Sequence, residues 1–372
     1  MPIFDKRIEK SYHMWQPAPL PPPADLETLK ILRQTARAHR ALAELKGIAA
    51  TIPNEIILLQ TLALQEAKDS SAIENIITTN DELFKSVLNL EGVKNLAAKE
   101  VQNYAVALKH GFTRVSQSGL LTNNHILEIQ QTLQTNQAGY RKVPGTVLKH
   151  ANAGEVVYTP PQHADDIIQL MSNLEQYIND DTLSDIDPLI KMGVIHFQFE
   201  SIHPFYDGNG RTGRIINILY LVKQQLLSLP ILYLSRYIIG HKTDYYQKLQ
   251  RVRDQGDWES WLLYMLVAVE VTASQTVDQI KKIKALMQQY KKQIRQSYKF
   301  YSQDLLNNLF KHPYTKIEFL QHDLNVSRIT AANYLNQLAE DGLLEKQKLG
   351  TSNYYINRPL YEIFVPNNLT DS

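Results

Sequence analysis

Along most of the chain, apolar residues return every three or four positions, the spacing that lines one face of an α-helix. Leu26 to about Lys46 carries that pattern, with Asp25 placed to cap it. Ile52-Pro53-Asn54 opens a second helix over IILLQTLALQEAK, and Thr79-Asn80-Asp81-Glu82 has the form of a capping box at the start of a third. Helical spacing continues through AAKEVQNYAVALKHGF and NHILEIQQTL. Between Tyr140 and Pro161 the pattern changes, because YRKVPGTVLKHANAGEVVYTPP alternates β-formers around Asn152-Ala153-Gly154 and so predicts a hairpin. Leu189 to Ile202 is apolar nearly all round, as in a helix enclosed on every side, and Ile215 to Leu227 is again strongly apolar. The charged stretch HPFYDGNGRTGR, His203 to Arg214, joins these two core helices. Further on, Ile280, Ile283, Met287, Tyr290, Ile294 and Tyr298 stripe a long helix that connects domains. From Tyr314 to Asn357 a short helix, a turn at Asn325, a helix from Ser327 to Glu340, Gly342 and two strands follow in the order of a winged helix-turn-helix. The fold class predicted is mainly α, with one hairpin and a small C-terminal sheet.

Composition narrows the picture. A chain of 372 residues is too long for one ordinary core, so two or three domains are expected. With 44% hydrophobic and 21% charged residues it belongs with globular proteins, and a net charge of +1 calls for neither nucleic acid nor membrane. The absence of cysteine excludes disulfides and thiolate chemistry and suits a reducing compartment. The N-terminus has no apolar signal core, and the greasiest run, WLLYMLVAV, is too short for a bilayer, so a cytoplasmic location is expected. WQPAPLPPPADLE reads as an extended strap before the first helix.

The loop from His203 to Arg214 holds the candidate chemistry. A helix N-terminus presents unpaired N–H groups and partial positive charge, and so attracts anions. Gly208 and Gly210 let phosphate oxygens approach that terminus, while Arg211 and Arg214 add forked donors suited to them. Asp207 repels a phosphate directly, a conflict that a divalent cation between carboxylate and phosphates removes. His203 can take up a proton near neutral pH, with Pro204 and Phe205 fixing its backbone. A tight turn with a histidine helix cap is the bland account of the same residues.

HPFYDGNGRTGR resembles the HPFx(D/E)GNGRxxR signature of Fic-domain proteins at every fixed position, and the resemblance extends over roughly Pro17 to Trp261. It implies a Fic helical bundle with a β-hairpin flap, and relatives also carry an appended winged helix. On that basis the chain divides into an N-terminal helical region at 1–110, a catalytic core at 111–275 with flap 140–161 and motif 203–214, a connecting helix at 276–310 and a winged helix at 311–372. Most Fic enzymes are protein adenylyltransferases, which move AMP from ATP to a Ser, Thr or Tyr hydroxyl. By resemblance, His203 is the base, Asp207 holds Mg²⁺, and Gly208, Asn209, Gly210 and Arg211 form the anion hole. Gly213 and Arg214 complete the nucleotide site, Arg214 at the γ-phosphate. Tyr245 and Tyr246 of HKTDYYQKLQ resemble residues on the adenine side, helix packing being the alternative. Val147, Leu148, Lys149 and His150 belong to the flap, which pairs with an extended target segment.

SSAIEN, Ser70 to Asn75, resembles the family's inhibitory motif (S/T)xxxE(G/N). It implies that Glu74, flanked by Ser70 and Asn75, pairs with Arg214 and excludes the γ-phosphate; in some relatives the same glutamate directs water to remove AMP from a modified target. The implied partners are a protein with a hydroxyl side chain or the chain itself, with a homodimer also open. A DNA-binding regulator is the competing class. From Lys311 to Arg358, however, six basic and five acidic residues balance to +1, weak for meeting a polyanion. His196 reads as a core histidine, and the seven basic residues of Lys281–Lys299 as a solvated face.

Overall fold

The computed structural model describes residues 15–87, 95–149, 156–349 and 352–365. Helices dominate it. The first, α1 (Leu29–Ala49), starts at Thr28, whose Oγ1 accepts from the Ile31 N–H at 3.4 Å. Asp25 is not the cap: its carboxylate accepts from the Glu27 N–H at 3.1 Å, a local turn that leaves the helix to begin three residues later. α2 (Glu55–Ile73) is capped by Asn54 and ends at Glu74, after which Asn75 takes a left-handed conformation at φ 62°. At the start of α3 (Asn80–Val87) the capping box forms in both directions, Thr79 N–H to Glu82 at 3.0 Å and Glu82 N–H to Thr79 Oγ1 at 3.1 Å. α4 (Leu96–Ser118) and α5 (Asn123–Gln134) follow as an antiparallel pair.

The hairpin is short. β1 (Leu148–Lys149) and β2 (Val156–Tyr158) pair antiparallel, Leu148 opposite Tyr158. His150 and the expected turn at Asn152-Ala153-Gly154 lie outside the described residues. After α6 (Ala164–Asn179) comes α7 (Pro188–Ile202), buried from Leu189 through Ile202 as its uniformly apolar sequence requires. α8 (Asn209–Lys223) packs beside it, and α9 (Leu234–Gly240) and α10 (Lys242–Gln255) close the bundle. α11 (Trp258–Ser297) is one uninterrupted helix of 40 residues, so the helix expected around Ile280 begins much earlier. Its N-terminal part runs along α1, tied by Lys30–Glu259 at 2.8 Å, Gln34–Glu270 at 2.6 Å and Lys281–Glu44 at 3.0 Å.

The C-terminal unit comprises α12 (Gln303–Lys311), β3 (Tyr314–Lys316), α13 (Ile317–Leu324), α14 (Arg328–Glu340), β4 (Glu345–Leu349), β5 (Ser352–Ile356) and α15 (Arg358–Phe364). Its antiparallel sheet has the order β3-β5-β4. Tyr290 of α11 anchors it, its hydroxyl donating to the Leu343 carbonyl at 2.8 Å. Phe84 of α3 is wholly buried among His312, Tyr314, Tyr361 and Phe364, and Tyr314 donates to Asp81 at 2.6 Å. The unit therefore grips the segment that follows Glu74. No helix among the described residues is long and apolar enough to cross a membrane.

Candidate functional site

The chain turns sharply where α7 ends. His203 adopts φ 49°, its N–H still bonding the Phe199 carbonyl at 2.9 Å, and Pro204 prevents another helical turn. Asn209 then ties the loop to itself: its Oδ1 accepts from the Phe205 N–H at 2.9 Å and its Nδ2 donates to the Phe205 carbonyl at 2.8 Å. Arg141, 1% exposed, braces the loop from the flap side, donating to the carbonyls of His203 at 2.8 Å, Ile202 at 3.3 Å and Pro161. The Tyr206 hydroxyl accepts from the N–H groups of Lys142 and Val143 at 2.9 and 3.2 Å. Nothing in the local sequence pattern marks Arg141, because its partners are backbone oxygens 20 to 62 residues away.

Gly208 stands at the mouth of α8 with φ 79°, and a Cβ there would lie 2.6 Å from Gln134 Nε2. The following turn exposes the helix's first N–H groups to an incoming anion. A Cβ on Gly210 would collide with the Glu74 carboxylate, which therefore lies over this first turn. Arg214, 1% exposed, reaches the same carboxylate at 2.8 Å through Nη2 and holds Ser70 by two further bonds, to Oγ at 2.8 Å and to the carbonyl at 2.9 Å. Burial opposes charge on both partners, yet their mutual attraction outweighs it: Glu74 sits below the usual carboxylate range and Arg214 is raised. Asn75 accepts from Lys242 at 3.2 Å and closes this segment against α10. Arg211 donates to Glu100 at 3.0 Å and stands 4.0 Å from Asp207, while its Nε is buried without a partner.

Burial first, then the charges of Arg141 and Arg253, lowers the His203 imidazole to about 4, so it is neutral and able to accept a proton at neutral pH. Its Nδ1 is buried and unpartnered. Glu200, one turn earlier on α7, is pushed up to about 7, chiefly by burial, and its Oε1 also lacks a partner. That oxygen lies 2.6 Å from where a Gly213 Cβ would be, which accounts for the glycine. Asp207 faces outward at the loop tip, 76% exposed, with Oδ1 accepting from the Gly208 N–H at 2.6 Å. No group of three metal-ligating side chains occurs among the described residues.

Of the two expected adenine-side tyrosines, Tyr245 is buried and hydrogen-bonded to His196 at 2.8 Å, whereas Tyr246 is 47% exposed and packs edge-on against Tyr245. His196 is a core histidine, lowered to about 3 mainly by burial. Leu148 and Lys149 lie on β1, and Val147 precedes them, partly exposed. Tyr158 fastens the other strand to α7, donating to the Ser201 carbonyl at 2.8 Å beneath the Arg253 guanidinium, 4.0 Å from its ring. Behind Arg214, Glu66 accepts from Tyr104 at 3.1 Å and from Ser235, a buried polar layer that the sequence pattern did not reveal.

The geometry defines a helical protein with a glycine-lined anion seat at a buried helix N-terminus, a neutral histidine at its edge and a carboxylate lying across it. Three family models match such a chain in sequence: "Fic/DOC family N-terminal" over residues 32–113, "Fic/DOC family" over 120–221 and "Protein adenylyltransferase SoFic-like, C-terminal domain" over 286–360. Residues 120–221 therefore carry a Fic/DOC family domain, preceded at 32–113 by the N-terminal domain of that family. It is 24% identical over 115 residues to protein adenylyltransferase fic-1 of Caenorhabditis elegans, covering 31% of this chain and 21% of that protein. To protein adenylyltransferase Fic of Aedes aegypti it is 25% identical over 174 residues, covering 46% and 33%. These matches span about a fifth to a third of the curated relatives' length. A crystal structure of a Fic family protein from Desulfovibrio desulfuricans G20 shares the fold at a TM-score of 0.60 and 22% identity, covering 91% of this chain and 98% of that one. Fic-1 from C. elegans aligns at a TM-score of 0.52 and 18% identity, covering 67% and 72%.

Proposed function

We propose that the protein is an adenylyltransferase that moves AMP from ATP to a Ser, Thr or Tyr hydroxyl of a target protein or of itself, and that Glu74 restrains it. The observation that carries this reading is the Glu74 carboxylate over the first turn of α8 and against Arg214, a built-in anion on a seat suited to phosphate. With Glu74 withdrawn, the N–H groups of α8, Arg211 and Arg214 receive the triphosphate. His203 takes the proton of the attacking hydroxyl; a bond forms from that oxygen to the α-phosphorus as the bond to the bridging oxygen of pyrophosphate breaks. The outward-facing Asp207 suits a Mg²⁺ ion, which needs only one or two carboxylates besides phosphates and would neutralise phosphate charge. The flap strands offer a target main chain an edge to pair with.

The division into N-terminal region, core, connecting helix and winged helix is part of the same reading. The order of helices and strands in the C-terminal unit supports a winged helix there. The test is incorporation of label from ATP carrying it on the α-phosphate. Transfer is expected from Glu74→Gly, weak transfer from the parent, and none once His203→Ala is added. Equal labelling by parent and Glu74→Gly removes the restraint, and label that survives His203→Ala removes the transferase.

A further inference from the structure

A cavity of about 700 Å³, lined by no residue of the motif loop, lies where α2 and α4 meet α12, β3 and α13. That size suits a small organic ligand. Ile56, Leu59, Val106 and Phe112 give its α2 and α4 wall an apolar face, interrupted by Gln60, Gln102 and Lys109. Ile56 and Val106 are 47% and 56% exposed, an uncovered greasy surface inside a concave site. The opposite side is polar. Asp323 there is already satisfied, accepting from Asn308 at 2.8 Å and pairing with Lys311 at 3.2 Å. Lys109, on α4 between Val106 and Phe112, makes no ion pair among the described residues, so the lining charge is positive after Asp323 and Lys311 cancel. His312 adds a second signal, because its Nε2 is buried with no hydrogen-bond partner although its Nδ1 is engaged by Tyr314 at 3.1 Å. An apolar wall, one uncompensated ammonium and an orphaned ring nitrogen together describe the complement of an amphiphilic anion.

We propose that this cavity is a second ligand site, which takes a small apolar molecule carrying one carboxylate or comparable anionic group. The apolar body lies against Ile56, Leu59, Val106 and Phe112, and the anionic end reaches Lys109 on α4. The site shares no residue with the motif loop, and its occupancy does not require the transferase reading to hold.

The probe is 1-anilinonaphthalene-8-sulfonate, an aromatic anion that brightens on leaving water, titrated into the full-length protein with N-phenyl-1-naphthylamine as its uncharged counterpart. Saturable one-to-one binding of the anion is expected, undisturbed by excess ATP. Lys109→Glu should weaken it about tenfold or more, as loss of a charged partner does, and Val106→Trp should abolish it by filling the cavity. Both substitutions fall at exposed positions, and a thermal melt matching the parent establishes that each variant folds. The proposal is overturned if no saturable binding occurs, if both variants bind as the parent does, if ATP displaces the probe, or if the uncharged counterpart binds equally tightly.

Discussion

Glu74 and Arg214 carry opposite burdens in one ion pair: the arginine is enclosed, while the glutamate side chain keeps 34% of its surface. An enclosed guanidinium that loses its counterion seeks another anion, so removing the carboxylate should favour ATP and not merely weaken the fold. Glu74→Gly is expected to raise self-labelling from ATP on the order of tenfold or more, the scale of a charged hydrogen bond exchanged between competitors. Labelling assays on purified protein at fixed ATP check this. The pair's pH behaviour has a definite sign. Because Glu74 is held below the usual carboxylate range, its contribution to the closed state is complete at neutral pH and is lost only as pH falls through that lowered value. Mild acidification should therefore leave the Glu74–Arg214 pair in place. His203 is also lowered, from 6.5 to about 4, so the neutral ring's contribution to stability is whole above 6.5 and declines as pH falls toward about 4. In Glu74→Gly the one charge that raised His203 is gone. With Glu200, itself pushed up to about 7, also replaced by Gln, that variant's labelling rate should stay within about twofold from pH ~8 to ~5.5, without the inflection near 6.5 of an unperturbed imidazole.

At the scale of elements, the site depends on how closely α4 and α5 approach α8. Gly111 makes that approach possible: a Cβ there would come within 2.5 Å of Leu219 Cδ1 and 2.8 Å of Ile129 Cδ1. Gly111→Ala should cost about 1–3 kcal/mol through overpacking, read as a lower denaturation midpoint. Much of this architecture was legible beforehand. The uniformly apolar run from Leu189 to Ile202 could only be an enclosed helix, and Thr79 to Glu82 carried its capping geometry in its own four residues. The glycines of the motif likewise marked the start of α8, since Gly208 and the first helical turn are contiguous in sequence. Legibility ended where partners are distant. Thr28 displaced Asp25 as the cap because the acid's carboxylate found a nearer N–H. Arg141, Arg253 and Glu66 act on backbone, rings and hydroxyls supplied by other elements, and no periodicity encodes such meetings. Tyr245 and Tyr246, adjacent in sequence, part company because successive helix positions face about 100° apart: one enters the core and the other meets solvent.

For the molecule as a whole, the junction between the C-terminal unit and α3 rests on Phe84. Emptying that ring's place with Phe84→Ala should cost about 3–5 kcal/mol, and thermal melting should show the C-terminal unit separating from the bundle as an earlier transition. The other connection is α11, about 60 Å long at 1.5 Å per residue. Its early turns pack in the bundle and its later turns bear the C-terminal sheet through Tyr290. The matched C-terminal family begins at 286, partway along this rod. A cut at that boundary would leave two frayed stumps, each stripped of apolar surface that the other had covered. Fragments expressed separately should therefore aggregate, and any transplant of the C-terminal unit onto another bundle has to carry the entire shaft from Trp258 with it.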